Sequence, residues 1–215
     1  MKETLKTILC FGDSNTHGYN PNDGTRWPYS VRWTGILQRE LGNDFHIIEE
    51  GLGGRTSVFD DPLEPGRKGI RDIPMLIETH KPLDLVIIML GTNDTKNWFS
   101  ATPEAIAAGC GKVIEAFQDF KYVNSKKPEI LLVSPIHIGP ETEKSGCAGF
   151  DISSHEKTLH LAPLYKAEAE KHGAYFFDAA TVAEPGIDNV HLDIGGHRKL
   201  AITLSKIIKT ILNLK

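Results

Sequence analysis

Cysteine is scarce in this chain, and what there is does not pair. Cys10, Cys110 and Cys147 are an odd number with no C-x-x-C spacing, so the sequence signals neither a disulfide framework nor a zinc knuckle. Cys10, beside Phe11 at the end of an apolar run, reads as a small core residue. No apolar run approaches the roughly 18 residues of a membrane span. The first thirty residues also lack the basic start, apolar segment and small-residue cleavage site of a leader, so a cytoplasmic protein with no membrane partner is expected. Charge of one sign is missing too. A net charge of -4 from 24 basic and 28 acidic residues leaves no basic footprint for a phosphate backbone, which argues against nucleic acid as a partner.

Several signatures are absent as well. "GLGGRTS" is neither G-x-G-x-x-G nor G-x-x-x-x-G-K-[ST], which disfavours nucleotide binding. The nucleophile elbow G-x-S-x-G does not occur, which disfavours the α/β-hydrolase fold but not serine chemistry. His191, His197, Asp188 and Asp193 form the densest ligand-like cluster, yet there is no H-E-x-x-H or spaced three-histidine set. No metal and no cofactor are expected.

What is present suits one domain over residues 1–215, with 40% hydrophobic and 24% charged residues. Continuous apolar runs at 5–11, 83–90 and 130–136 lack polar alternation and predict strands buried on both faces; weaker ones lie at 45–49 and 174–177. Helical patterns cover 31–41, 71–80, 103–123, 154–172 and 195–212, the third opened by Thr102 before Pro103. The alternation predicts an α/β fold with a mostly parallel sheet covered on both faces. Ligands gather beyond the carboxyl ends of such strands, where Gly12 to Ser14, Gly51 to Thr56 and Gly91 to Asp94 fall. Two long connections, 15–30 and 136–153, are expected to wall a pocket or face another subunit. The stretch 60–74 reads as a long loop with a solvated charged face.

A serine hydroxyl is a poor nucleophile at neutral pH and needs a base, which in turn needs an orienting group. "DNVH" near the C-terminus offers Asp188 and His191 at a spacing that brings both to one side of a helical turn. Ester chemistry also needs donors aimed at the developing oxyanion. The N–H of Ser14, the N–H of Gly54 and the amide of Asn93 are the candidates. Each piece has a blander reading: Asp188 as a local backbone cap, Gly53 and Gly54 as a tight turn, Asn93 as a helix cap.

Taken together, Gly12-Asp13-Ser14, Gly54, Gly91-Thr92-Asn93-Asp94 and Asp188 with His191 resemble, in order and placement, the motif blocks of the SGNH hydrolases, also called GDSL-type esterases and lipases. The resemblance runs from Gly12 to His191. It implies a three-layer α/β/α sandwich around a mostly parallel five-stranded sheet of flavodoxin-like type. It assigns Ser14 as nucleophile, Asp188 and His191 as its partners, and Ser14, Gly54 and Asn93 as the oxyanion hole. "VRWTGIL", "EEGLGGRTSVFDDP" and "LDLVIIMLGTNDTK" resemble the arylesterase and acyltransferase/perhydrolase branch, which implies short-chain ester hydrolysis, acyl transfer as a side activity and homo-oligomers from dimer to octamer. Asn15, where many relatives carry leucine, and Gly53, where that branch tends to have serine, depart from the pattern. The expected partner is a small-molecule ester, with Asp13, His17, Trp27, Trp98, Phe99, His137 and Ile138 as substrate-pocket candidates and Trp27, Tyr29 and Trp33 as interface candidates. The alternatives are a carbohydrate O-acetylesterase of the same superfamily and a binding module without chemistry.

Overall fold

The computed structural model describes residues 5–213, except the side chains of Lys144 and Ser145; the ends of the 1–215 domain expectation lie outside these residues. Five strands, β1 (Lys6–Gly12), β2 (Phe45–Gly51), β3 (Leu85–Met89), β4 (Glu129–Ser134) and β5 (Tyr175–Asp178), form one sheet in the order β2-β1-β3-β4-β5. Every pairing is parallel. Among the described residues, seven α-helices connect or flank them: α1 (Ser14–His17), α2 (Trp33–Leu41), α3 (Ile73–His80), α4 (Pro103–Gln118), α5 (Ile152–Leu159), α6 (Leu161–Lys171) and α7 (Ile194–Ile211).

Because side chains alternate along a strand, unbroken apolar runs feed two cores at once. Ile8, Cys10, Leu85, Ile87, Leu131 and Val133 face one side, where α2 supplies Trp33, Ile36 and Leu37 and α7 supplies Leu200, Leu204 and Ile208. Leu9, Phe11, Val86, Ile88, Ile130 and Leu132 face the other, against Ile73 and Ile77 of α3, Ile106, Val113 and Phe117 of α4, and Leu161 and Tyr165 of α6. The result is the expected three-layer α/β/α sandwich. Trp33, an interface candidate by sequence, is fully buried in the first core, because the apolar stripe of α2 carries it onto the sheet.

Three helical expectations shift. The pattern over 154–172 divides at His160, since Pro163 has no N–H to give and its ring excludes a helical carbonyl at Leu159. Helix α4 stops at Gln118 rather than 123; Tyr122 folds back and its hydroxyl donates to the Phe117 carbonyl at 3.0 Å. Within the 15–30 connection a single turn, α1, begins at Ser14 and closes on Gly18 in the left-handed region.

Candidate active site

The strand order turns around at β1 and β3, and loops leaving their carboxyl ends diverge there to open a crevice. Gly12 ends β1; a Cβ on it would lie 2.1 Å from Thr16 Oγ1, so only glycine lets α1 start this close to the strand. Asp13 caps α1, its Oδ1 accepting the Asn15 N–H at 2.9 Å. Ser14 opens that helix, which leaves its N–H without an intrahelical acceptor. Its hydroxyl Oγ lies 2.8 Å from His191 Nε2.

His191 is held from behind by Asp188. One carboxylate oxygen accepts the N–H groups of Val190 and His191 at 2.9 and 2.8 Å, and the other pairs with His191 Nδ1 at 2.6 Å. The D-x-x-H spacing thus orients the backbone and the ring with one side chain. Burial weakens the imidazolium, but the hydrogen bonds and charges of Asp188 and Cys147 outweigh that, and the His191 pKa is pushed up to about 9. For Asp188, burial opposes ionisation, but the contacts to His191 dominate and hold the carboxyl below its ordinary value. Tyr19 covers the imidazole, ring centroids 4.2 Å apart.

Gly54 lies in a turn closed by the Arg55 N–H on the Leu52 carbonyl, with φ +77 in the region that favours glycine. Asn93 begins the 3-10 turn after β3, and its Nδ2 donates to the Arg55 carbonyl at 3.1 Å, leaving a second amide hydrogen for the cleft. The Arg55 guanidinium donates to the carbonyls of Gly12 and Glu50 and reaches Asp72 at 3.2 Å. Asp94 accepts from both the N–H and the hydroxyl of Ser57, and burial pushes its pKa up to about 6. Arg55 ties the loop after β2 to the ends of β1 and β2, and Asp94 ties it to the turn after β3. The D of G-x-N-D was a signal for Asp94; nothing in the sequence singled out Arg55.

Ser14 and His191 open onto a cleft of about 330 Å³ also lined by Tyr19, Gly53, Gly54, Glu64, Arg67, Asn93, Lys96, Cys147, Ala148 and Phe150. The two long connections contribute Tyr19, Cys147, Ala148 and Phe150. The 60–74 loop, expected to show only a solvated face, contributes Glu64 and Arg67 to the rim, joined at 3.0 Å, while its Asp60 does pair outward with Lys68 and Arg71. Lys96 reaches Asp61 at 3.3 Å beneath the rim.

None of the seven substrate-pocket candidates lines this cleft. Asp13 is buried under Ser14 as a cap, and Ile138 is buried against Phe150 and Val190. Phe99 turns to Phe59 at 5.4 Å, and Trp98 stands behind Lys96, its ring 5.1 Å from Nζ. The half-buried His17, Trp27 and His137 also lie off it. Proximity to a cleft-edge loop did not fix side-chain direction.

Sγ of Cys147 lies with donor atoms of Asp188 and His191 inside 4.8 Å of one another. Both ring nitrogens and both carboxylate oxygens are already engaged by hydrogen bonds, so the set does not fit a resident ion. The other half of the ligand-like cluster seen in the sequence is dispersed: Asp193 caps α7, and His197 accepts the Trp33 N–H.

The chain is 26% identical to an acetylxylan esterase of Xylanibacter ruminicola over 97% of its own length, and spans 44% of that protein. Among solved structures it is similar to the M. smegmatis aryl esterase, with TM-score 0.86 and 40% identity over 95% of this chain and 99% of that one. It is also similar to a carbohydrate acetylesterase from Sinorhizobium meliloti, with TM-score 0.87 and 37% identity over 96% and 99%. The model of the GDSL-like lipase/acylhydrolase family matches residues 10–199, and with the order of its loops and these likenesses the chain belongs to that family.

Proposed function

We propose that this chain is a serine esterase that cleaves short-chain carboxylic esters, acetyl and aryl esters foremost, through an acyl-serine intermediate. The observation that carries the reading is the unbroken relay Ser14 Oγ, His191 Nε2, His191 Nδ1, Asp188 Oδ2, with links of 2.8 and 2.6 Å. His191 takes the Ser14 proton as Oγ bonds to the ester carbonyl carbon, and Asp188 stays ionised to fix the tautomer and stabilise the imidazolium. The N–H groups of Ser14 and Gly54 and the free amide hydrogen of Asn93 face the charge that develops on the carbonyl oxygen. Collapse breaks the bond to the alcohol, which leaves with the proton from His191. Water then releases the acid by the same route.

Covalent capture tests this reading. A fluorophosphonate should label Ser14 in the wild type and not in His191→Ala; labelling that ignores His191, or none at all, leaves a binding module as the reading. In a p-nitrophenyl series acetyl and propionyl esters should exceed octanoyl, and a steep preference for long chains overturns the acyl-size part. The second reading is a carbohydrate O-acetylesterase. It is favoured by the polar rim of Glu64 and Arg67, with Lys96 beneath it, which suits a hydroxyl-rich leaving group, and by the carbohydrate ester activities of two of the relatives. Acetylated xylose compared with phenyl acetate separates the two.

Acyl transfer to alcohols or peroxide is a finer proposal, resting on the resemblance to the acyltransferase branch; the partition between hydrolysis and alcoholysis in aqueous alcohol decides it. Assembly into a homo-oligomer is proposed on the same resemblance and on Tyr29, which is 44% exposed near the half-buried Trp27. Light scattering that gives a monomer at micromolar protein rejects it. A cytoplasmic location is proposed because Cys10 and Cys110 are buried as thiols, which suits a reducing compartment. Among the described residues no helix is long and apolar enough to cross a membrane.

A further inference from the structure

Ser14 and His191 lie 177 positions apart in the chain and meet at 2.8 Å, so something must set that distance. Side-chain relays need it held closely, because a misplacement of about 1 Å costs on the order of a hundredfold in rate. Asn15, the residue after Ser14, is 3% exposed and points at the backbone on both sides of His191. Its Oδ1 accepts the Leu192 N–H at 2.8 Å, and its Nδ2 donates to the Val190 carbonyl over a longer 3.4 Å. The primary amide thus treats the 190–192 segment as a neighbouring strand would.

Three other polar groups of that segment are already assigned. The N–H groups of Val190 and His191 go to Asp188, and the His191 carbonyl accepts the Gly186 N–H at 2.6 Å. Asn189, in the left-handed region at φ 61, anchors the loop through its carbonyl to the Gly139 N–H at 2.7 Å. These contacts shape the loop within itself or against the 136–153 connection. Asn15 is different, because its backbone is continuous with the nucleophile. The Ser14–Asn15 peptide, the amide contacts and the imidazole close one ring of covalent and hydrogen bonds through Ser14 Oγ.

We infer that Asn15 is the positioning residue that sets the distance between Ser14 and His191, gripping the base-bearing loop from the residue next to the nucleophile. This rests on the proposed roles of Ser14 and His191. A leucine at this position fills similar space but accepts no hydrogen bond, and it leaves the Leu192 N–H buried without a partner.

The test compares Asn15→Leu with Asn15→Asp, which keeps the acceptor for Leu192 but puts an oxygen opposite the Val190 carbonyl. For Asn15→Leu, kcat should fall about thirtyfold with KM within about twofold, and fluorophosphonate labelling of Ser14 should slow in proportion. Asn15→Asp should recover part of both rates. Circular dichroism and melting confirm that each variant is folded; if the leucine variant does not fold, the aspartate variant carries the test, with a severalfold loss in kcat and labelling rate expected. The inference is overturned by a folded leucine variant with kcat and labelling within twofold of wild type, by a loss seen in KM alone, or by an aspartate variant that folds and behaves as wild type. Failure of wild-type labelling is a different result, because it removes the esterase reading itself.

Discussion

His191 and His197 are six residues apart, both buried, and opposite in character. The imidazole of His191 sits between a carboxylate and a hydroxyl, with its pKa pushed up to about 9. That of His197 meets no carboxylate at hydrogen-bond distance among the described residues. Burial foremost, aided by Arg32, takes its pKa down to about 4, and its Nδ1 accepts the first N–H of α2 from Trp33 at 3.2 Å. A neutral ring closes a helix end that would otherwise leave an orphan donor. Burial alone therefore assigns neither histidine its role; the partner does, and a carboxylate three residues upstream is what separates a base from a cap.

The largest break in the comparison comes from truncating each ring. His191→Ala should lower kcat by a factor on the order of 10⁴ or more while the protein stays folded. His197→Ala should keep kcat of the folded fraction within about tenfold and cost about 2–3 kcal/mol of stability, from a cavity and an unpaired donor. Esterase assays paired with urea denaturation read both, and equal kinetic losses would erase the distinction.

Removing the partner is the next step. Asp188→Asn should lower kcat about 10⁴-fold, because the wrong tautomer is favoured. It should also move the rising limb of kcat/KM from near pH 9 toward the ordinary histidine range. A variant with wild-type turnover would show that His191 does not depend on Asp188.

Smaller, and opposite in sign for the two rings, are the effects of pH on stability. His191 binds its proton more tightly in the folded state, so its contribution is present below about pH 6.5 and is lost as pH rises toward 9. His197 binds its proton more weakly when folded, so its contribution is present above about 6.5 and is lost as pH falls toward 4. Melting temperatures across pH 4–9 should fall on both sides, with His191→Gln flattening the alkaline limb and His197→Gln the acid one. If each substitution flattens the other limb, the assignments are reversed.

Much of this was legible before coordinates. The strands could be read because two-sided burial leaves no polar residue inside a strand such as Leu85–Met89. The meeting of Ser14 with His191 was readable from motif order and strand-end placement. The split at His160 was legible in principle, since Pro163 stands inside the periodic pattern, but apolar spacing alone passes over it. The cleft lining was not legible. Trp98 and Phe99 follow the Asn93 turn closely in sequence, yet a 3-10 turn sends their rings behind Lys96 and onto Phe59. Tyr19 reaches His191 because its strand-like bridge to Arg26 folds the 15–30 connection back on itself, and the meeting of two rings so far apart in the chain has no local signature.

The guanidinium of Arg55 joins carbonyls near the carboxyl ends of two neighbouring strands while the same residue's own carbonyl holds Asn93. Loosening on heating thus reaches the nucleophile's strand and the anion-facing amide in a single event. Thermal inactivation and local melting of this corner should share one midpoint, with no warm state that still carries an aligned serine but has lost its amide.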